Sequence, residues 1–342
     1  MRKYLLPSEG RFYKANLHSH TVLSDGRLTP EETKALYRSM GYSIVAFTDH
    51  DVMIPHNELA DESFLPLIGV EYEINEFNSY PGRRGGKTCH ICFIAPDADT
   101  VIQPNWNERY AYVGNASASA AQVKFDPDAP KLERDYSPEF INALVRDMRD
   151  RGFFVTYNHP VWSLENYNDY TAYNSFSAME IYNFGAVIVG SDAYSPAIYD
   201  EMLRAGCGRL YAVAADDNHN KSTQESGGGD SGGGFVMIKA EKLEYKTIMS
   251  ALKRGDFYAS QGPEIHELYV EDGMVHIKCS DASKIVYTNC SRASRVIFAK
   301  PGEPITEASF SIREHDGYFR LTVTDLLGRN ANTSGYFLED IL

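Results

Sequence analysis

Near the start of the 342-residue chain, His18-Ser19-His20 is followed by Ser24-Asp25-Gly26 and then by Thr48-Asp49-His50-Asp51. Histidines two apart on a strand project to the same face, because strand side chains alternate, so both imidazoles can reach one metal ion. Further stations close or follow apolar runs: Gly69-Val70-Glu71 after Phe64 to Ile68, His90 in Cys89-His90-Ile91-Cys92, Asn158-His159-Pro160 after Phe153 to Tyr157, and Asp217-Asn218-His219 after Leu210 to Ala215. In a barrel of parallel strands, strand ends from distant parts of a sequence meet on one rim, where catalytic groups collect. Nine side chains of metal-binding type are candidates for one such place: His18, His20, Asp25, His50, Glu71, His90, His159, Asp217 and His219. For a lone HxH, two unrelated surface histidines would be an equal alternative, and that alternative loses weight as the stations accumulate.

The order HxH, SDG, TDHD, GxE, His, HP and DxH, from about Asn16 to His219, resembles the PHP (polymerase and histidinol phosphatase) metallohydrolases. The resemblance implies a distorted, TIM-like α/β barrel of seven strand-helix units, two or three divalent ions, and hydrolysis of a phosphate ester. It also implies a partition: His18, His20, Glu71 and Asp217 on one ion, a bridging Glu71 with His90 and His159 on a second, and Asp25, His50 and His219 on a third. Imidazole and carboxylate ligands without thiolate suit zinc, manganese or iron. Paired ions lower the pKa of a shared water and stabilise the leaving oxygen, so no protein nucleophile is required. Asp217 is then the candidate catalytic group that takes a proton from that water.

The last station departs from the family's usual SDAH: here Asp216 adds a carboxylate beside Asp217. Strand alternation turns Asp216 away, which suits a supporting or helix-capping role. Asp49 and Asp51 are expected to orient imidazole N–H groups, and His56 to be an exposed loop residue. Arg83, Arg84 and Lys87, just before His90, and Lys221, after His219, are the candidate substrate-binding cations, with a solvated basic loop as the alternative.

Between the stations lie helix signals. Thr29-Pro30-Glu31-Glu32 is a capping box with proline at the first helical position, Ser137-Pro138 opens an apolar repeat at helical spacing that ends at Gly152, and Ser195-Pro196 opens another. Alternating helix and strand is the signature of a parallel sheet with crossover helices. From about Gly262 short alternating runs replace this pattern, with Asp272-Gly273 and Asp316-Gly317 as hairpin turns. The expected organisation is a barrel over 1–262, carrying an insertion at 97–135, and a small antiparallel β-sandwich over 263–342. The stretch from Gly255 to Pro263 and the closing Gly328-Arg329-Asn330 resemble a PHP subgroup related to the CehA/McbA hydrolases, which carries such an appendage. The insertion reads as a lid or as a peripheral decoration. Ser226 to Gly234 lacks the GK[ST] of a phosphate-binding loop and precedes a strand-like run, so it reads as a flexible loop beside His219.

The formal net charge of −14 would repel a nucleic-acid backbone. The sequence has neither a membrane-length apolar run nor a secretory leader, and its five scattered cysteines are unlike a disulfide framework; the protein is expected in the cytoplasm, with no protein partner inferred. Cys89 and Cys92 would face opposite sides of a strand, and the second pair of a zinc knuckle is missing. The expected function is a metal-dependent phosphoesterase acting on a small phosphate ester or nucleotide. The alternatives are hydrolysis of a carboxylic ester, carbamate or amide on the same metals, and a non-catalytic binding module, which the filled ligand set disfavours.

Overall fold

The computed structural model describes residues 2–77 and 86–341. The helix signals produce helices. Thr29 Oγ1 accepts the Glu32 N–H at 3.2 Å while Glu32 Oε2 accepts that of Thr29 at 2.9 Å, capping Pro30–Ser39. Ser137 caps Pro138–Asp150, which buries Ile141, Leu144, Val145 and Met148. Helices Pro196–Ala205 and Tyr245–Arg254 stop at Gly206 and Gly255, whose φ of 83° and 77° suits glycine.

The strands of the first part are β1 (Lys3–Tyr4), β2 (Arg11–Asn16), β3 (Ile44–Phe47), β4 (Leu65–Asn75), β5 (Thr88–Ile94), β6 (Phe154–Tyr157), β7 (Ala178–Asn183), β8 (Tyr211–Ala215) and β9 (Phe235–Ala240). Pairing runs in chain order from β2 to β8. It is parallel except at β5, which is antiparallel to both neighbours, contrary to the all-parallel expectation. The residues between β4 and β5 lack the apolar periodicity of a crossover helix, and an antiparallel return needs none. At the far end, His20 N–H donates to Asn218 O and Asp217 N–H to His18 O, both at 3.0 Å, so the ends of β2 and β8 meet through Ser19 and Asn218. From Arg11 to Ala15, β2 pairs antiparallel with β9, which continues to β10 (Phe257–Ser260).

The remaining strands are β11 (Ile265–Glu271), β12 (Met274–Asn289), β13 (Arg295–Phe298), β14 (Ile305–Ser311), β15 (Tyr318–Asp325), β16 (Asn330–Asn332) and β17 (Tyr336–Phe337). All their pairings are antiparallel. Asp272-Gly273, at φ 50° and 73°, turns β11 into β12 as expected. The alternating runs Met274 to Cys279 and Lys284 to Tyr287, which read as separate strands in the sequence, are the single long β12, whose register shifts at Ala282 let its first part pair with β11 and β14 and its second with β13 and β15. Asp316-Gly317 is not a hairpin turn. β14 and β15 both pair with β12, and buried Asp316 accepts hydrogen bonds from Tyr287, Asn289 and Arg295. The pairings form one connected sheet rather than showing a two-sheet sandwich, and β1 joins it by pairing with β11.

A large apolar core lies inside the first part and a second one around Leu268, Ile277, Tyr287 and Leu321, which also takes in Leu6. Among the described residues no helix is long and apolar enough to cross a membrane. The two cores are tied by a buried bidentate ion pair: Arg320 of β15 reaches Asp200 on Pro196–Ala205, with Nε–Oδ1 at 2.8 Å and Nη2–Oδ2 at 2.7 Å. Removing one partner strands the other charge in the interior. Arg320→Ala is expected to cost about 3–5 kcal/mol in denaturant titration, and the double replacement Asp200→Leu/Arg320→Met far less.

Candidate metal centre

His18 and His20 follow β2 in the extended segment that meets β8, so both rings point to the side where Asp217 and His219 emerge. One nitrogen of each of four rings is engaged from behind. His18 Nδ1 lies 2.8 Å from Glu180 Oε1, His159 Nδ1 3.2 Å from Ser163 Oγ, His219 Nδ1 2.9 Å from Asp217 O, and His20 Nδ1 3.4 Å from Ser24 Oγ. Their Nε2 atoms face inward: His18 and His20 stand 3.1 Å apart, each close to Asp217 Oδ1 at 3.3 and 3.1 Å, while His159 Nε2 is 3.4 Å from Glu71 Oε1 and His219 Nε2 is 3.3 Å from Asp25 Oδ1. His90 and His50 add Nδ1 at 3.1 and 3.3 Å from the two Glu71 oxygens.

All nine expected residues therefore come together. Their donor atoms fall into groups within 4.8 Å: His20, Asp25, His50 and His219; His18, His159 and Asp217; and His50, Glu71 and His90. This differs from the expected partition in three respects, since His20 sits with the Asp25 group, His159 with His18 and Asp217, and His50 is shared with Glu71 and His90. Cys92 also approaches His18 and Glu71, because its strand alternation turns it inward while Cys89 faces away.

The donor set fits divalent cations. Asp25 Oδ1 and His50 Nδ1 are buried without a hydrogen-bond partner. Burial, then the charge of His20, pushes His50 down to about 3, so its imidazole is a neutral donor. Burial opposes charge on Glu71, yet His18, His90 and His50 hold it well below the usual carboxylate range. Conversely, surrounding acids hold buried His18 and His20 well above the ordinary imidazole value. That is a demand for positive charge which divalent ions answer without protons. Asp51, His159 and Asp217 all have positive φ, at 60°, 26° and 51°, a cost that the surrounding structure must maintain.

Several supporting residues were not legible in the sequence. Glu180 accepts from the His159 N–H and from Asn183 Nδ2 besides engaging His18; an acid inside the apolar run Met179-Glu180-Ile181 was its only signal. Asn183 Nδ2 is 3.2 Å from Asp217 Oδ2, Asn158 Nδ2 is 2.8 Å from Glu71 Oε1, and Asp230 accepts the His219 N–H at 2.7 Å. Glu73, two residues past Glu71, also lines the cavity and is held by Tyr112. Asp216 is turned away as expected, but it is neither exposed nor a helix cap. It accepts the N–H groups of Gly232, Gly233 and Gly234 at 2.7–2.9 Å, so the glycine loop is wrapped around a carboxylate of its own chain. A Cβ on Gly234 would stand 2.5 Å from Ala215 O, which explains glycine there.

Three further expectations are corrected. Asp49 accepts from Thr21 and Ser24 and so shapes the turn before Asp25, and Asp51 pairs with Arg134; neither bonds an imidazole. His56 is buried edge-on against Phe47, and burial lowers its pKa. Lys87 is held by Asp169 at 2.8 Å and does not line the cavity, whereas Lys221 does, paired with Asp25 Oδ2 at 2.8 Å. Arg83 and Arg84 lie outside the described residues.

The cavity over the site has a volume of about 330 Å³. Lys221 is the one lysine or arginine among its described lining residues, and Val113, Trp162, Ile188 and Val189 form an apolar wall. Trp162 packs its edge against His90 and His159 with ring centres 5.3 and 5.0 Å away. The turn that carries it is fixed by Glu165, whose buried carboxyl group receives the hydroxyls of Tyr136, Tyr157 and Tyr173.

No protein-family model matches the chain, and no curated protein is similar enough to match. Among solved structures, one is similar over 98% of this chain and 97% of its own, at 15% identity and a TM-score of 0.47: a two-domain protein from Bacteroides vulgatus ATCC 8482 containing a predicted PHP-like metal-dependent phosphoesterase. A provisionally assigned metal-dependent phosphoesterase from Bifidobacterium adolescentis ATCC 15703 is similar at 15% identity and a TM-score of 0.36, over 64% of this chain and 90% of that one. An amidohydrolase from Chromobacterium violaceum, with bound sulfate and no metal, is similar at 20% identity and a TM-score of 0.33, over 60% and 87%.

Glu180→Ala is expected to weaken metal binding about 10–100-fold in competition with a chromophoric chelator, because His18 loses the group that orients its ring. Burial, opposed by the three phenols, pushes Glu165 up to about 7. A carboxyl group raised in the folded state stabilises the fold at low pH, and that stability is lost as pH rises from about 4.5 through 7. Glu165→Gln, neutral throughout, should lack this loss, which amounts to roughly 3 kcal/mol by comparison of denaturation midpoints across the window.

Proposed function

We propose that this chain is a metal-dependent hydrolase of the PHP type that cleaves a small phosphate ester or nucleotide at a centre of two or three divalent ions. The observation that carries the reading is the convergence of nine donor residues from seven stations, with His50 and the Glu71 carboxylate at the junction of the groups. The residues that would hold the ions are His18, His159 and Asp217; His50, Glu71 and His90; and His20, Asp25, His50 and His219. Zinc, manganese and iron all suit this donor set. Bound there, such ions supply an activated water and stabilise the oxygen that leaves.

The remaining work falls to the chain. Asp217 lines the cavity with Asn183 on Oδ2 and is the proposed proton acceptor for the attacking water. Lys221 stands where a substrate anion would enter, and the sequence leaves Arg83 and Arg84 as further candidate contacts. We read the strands β2 to β8 as a distorted seven-stranded barrel within residues 1–262 and the strands beyond 263 as a small appended domain. Five free cysteines support an expectation of the cytoplasm.

One observation favours hydrolysis of a carboxylic ester, carbamate or amide. The sole described lysine of the cavity is already paired, and an apolar wall faces the metal-binding side chains, an arrangement that suits an uncharged acyl group. Metal analysis, with turnover of an aryl phosphate and an aryl carboxylate before and after chelation, separates the two. The phosphoesterase reading expects two or three equivalents of metal and chelator-sensitive phosphatase activity. Activity on the carboxylate alone would replace it, and bound metal with no turnover would point to a binding module. Asp217→Asn and His159→Ala should each lower kcat at least about 100-fold while the thermal transition remains cooperative.

A further inference from the structure

The 97–135 segment is neither a free lid nor a remote decoration, because, besides its bonds to β4 and to helix Pro138–Asp150, it bonds both stretches that carry Asp25 and His50. Asn115 donates its N–H to Ser24 O at 2.6 Å and its Nδ2 to Val22 O at 3.0 Å. Gly114, at φ 56°, approaches so closely that a Cβ would stand 2.3 Å from Ser24 O and 2.6 Å from Asp25 Cβ. On the other stretch, Gln103 accepts the Met53 N–H at 2.7 Å and donates to Asp51 O at 2.9 Å. Arg134 makes a buried ion pair with Asp51 and donates to Glu73 O at 2.7 Å. The segment is anchored by an apolar cluster in which Trp106, Ala111, Ala116 and Val123 pack with Val52.

The segment also touches β4 beside Glu71, but the support of His18, His159 and Asp217 comes from elsewhere. His18 and His159 are braced by Glu180 and Ser163, and Asp217 by Asn183. Asp25 itself sits on a turn outside the strands, tied on its inner side to the His50 stretch by Asp49, which accepts from Thr21 and Ser24, and on its outer side, among the described residues, only by Gly114, Asn115 and Lys221. We propose that the 97–135 segment is the outer wall of one metal subsite, formed by His20, Asp25, His50 and His219, and sets the affinity of that subsite selectively. The inference rests on the reading of the centre as one that holds divalent ions. Its physical basis is that a multidentate site binds tightly only when its donors are held at the right separation before the ion arrives. Gly114 and Asn115 act here as positioning residues, since they reach the ion only through the Ser24–Asp25 turn.

The test is stepwise zinc titration of the full chain against a chromophoric chelator, repeated with manganese, for wild type, Gly114→Val and Asn115→Ala. Valine at 114 drives a side chain into the turn, whereas alanine at 115 removes one hydrogen bond and should leave the fold intact. Gly114→Val is expected to lose one equivalent of metal, and Asn115→Ala to bind its weakest equivalent about 10-fold less tightly. The other equivalents, unchanged in the same titration, serve as the internal control. Equal affinities in wild type and Asn115→Ala, or a uniform weakening of every equivalent, would overturn the proposal while leaving the metal centre standing. A wild-type chain that takes up neither metal would overturn both.

Discussion

The rest of the structure depends on the meeting of β2 and β8 beyond their regular pairing. Asn16 is the clasp: its Nδ2 donates to His18 O and Asn218 Oδ1, and its Oδ1 accepts the Asp216 N–H. Tyr37, buried under the same junction, donates to Asp216 and Asn218. These bonds place the HxH station against the DxH station, although they lie at opposite ends of the first part of the chain. Without that meeting the Nε2 atoms of His18 and His20 would keep Glu71 but lose Asp217, the second carboxylate that stands against both. The backbone outliers at Asp217 and His159 each stand two residues past a strand, β8 and β6, where their side chains turn toward the cavity.

Electrostatics follow from that geometry. Glu71 and Asp217 are buried among imidazoles, and carboxylates buried without compensation would be untenable. Compensation is arranged in layers, with inner nitrogens on the acids and outer nitrogens on Glu180, Ser163 and backbone oxygen. A different economy rules the cavity wall, where Trp162 is 41% and Val189 70% exposed although both border the most polar part of the molecule. Large apolar side chains left open beside a site are a feature that binding of an apolar substrate group would explain.

Much of this was readable from local chemistry. The caps at Thr29 and Ser137, the glycine stops at Gly206 and Gly255 and the Asp272-Gly273 turn are short-range events, decided by neighbours in the chain. Most donor residues were legible for a similar reason, since they border apolar runs where a charged side chain is otherwise out of place, while Asp25 was legible from its Ser24-Asp25-Gly26 motif. The direction of β5, the continuity of β12 and the burial of His56 were not legible, because each depends on which partner arrives from a distance.

The sequence by itself determined the elements and the inventory of donors, because capping, alternation and residue chemistry are carried by a few adjacent positions. Only the tertiary structure decided who faces whom: the amides of the glycine loop toward Asp216, Asp49 and Asp51 toward Thr21 and Arg134 rather than imidazoles, and His50 toward Glu71 and His90 as well as Asp25. Strand alternation says which side a residue leaves from, but the group it meets there is supplied by segments tens to hundreds of residues away. Their approach is set by packing of the whole and not by any local preference.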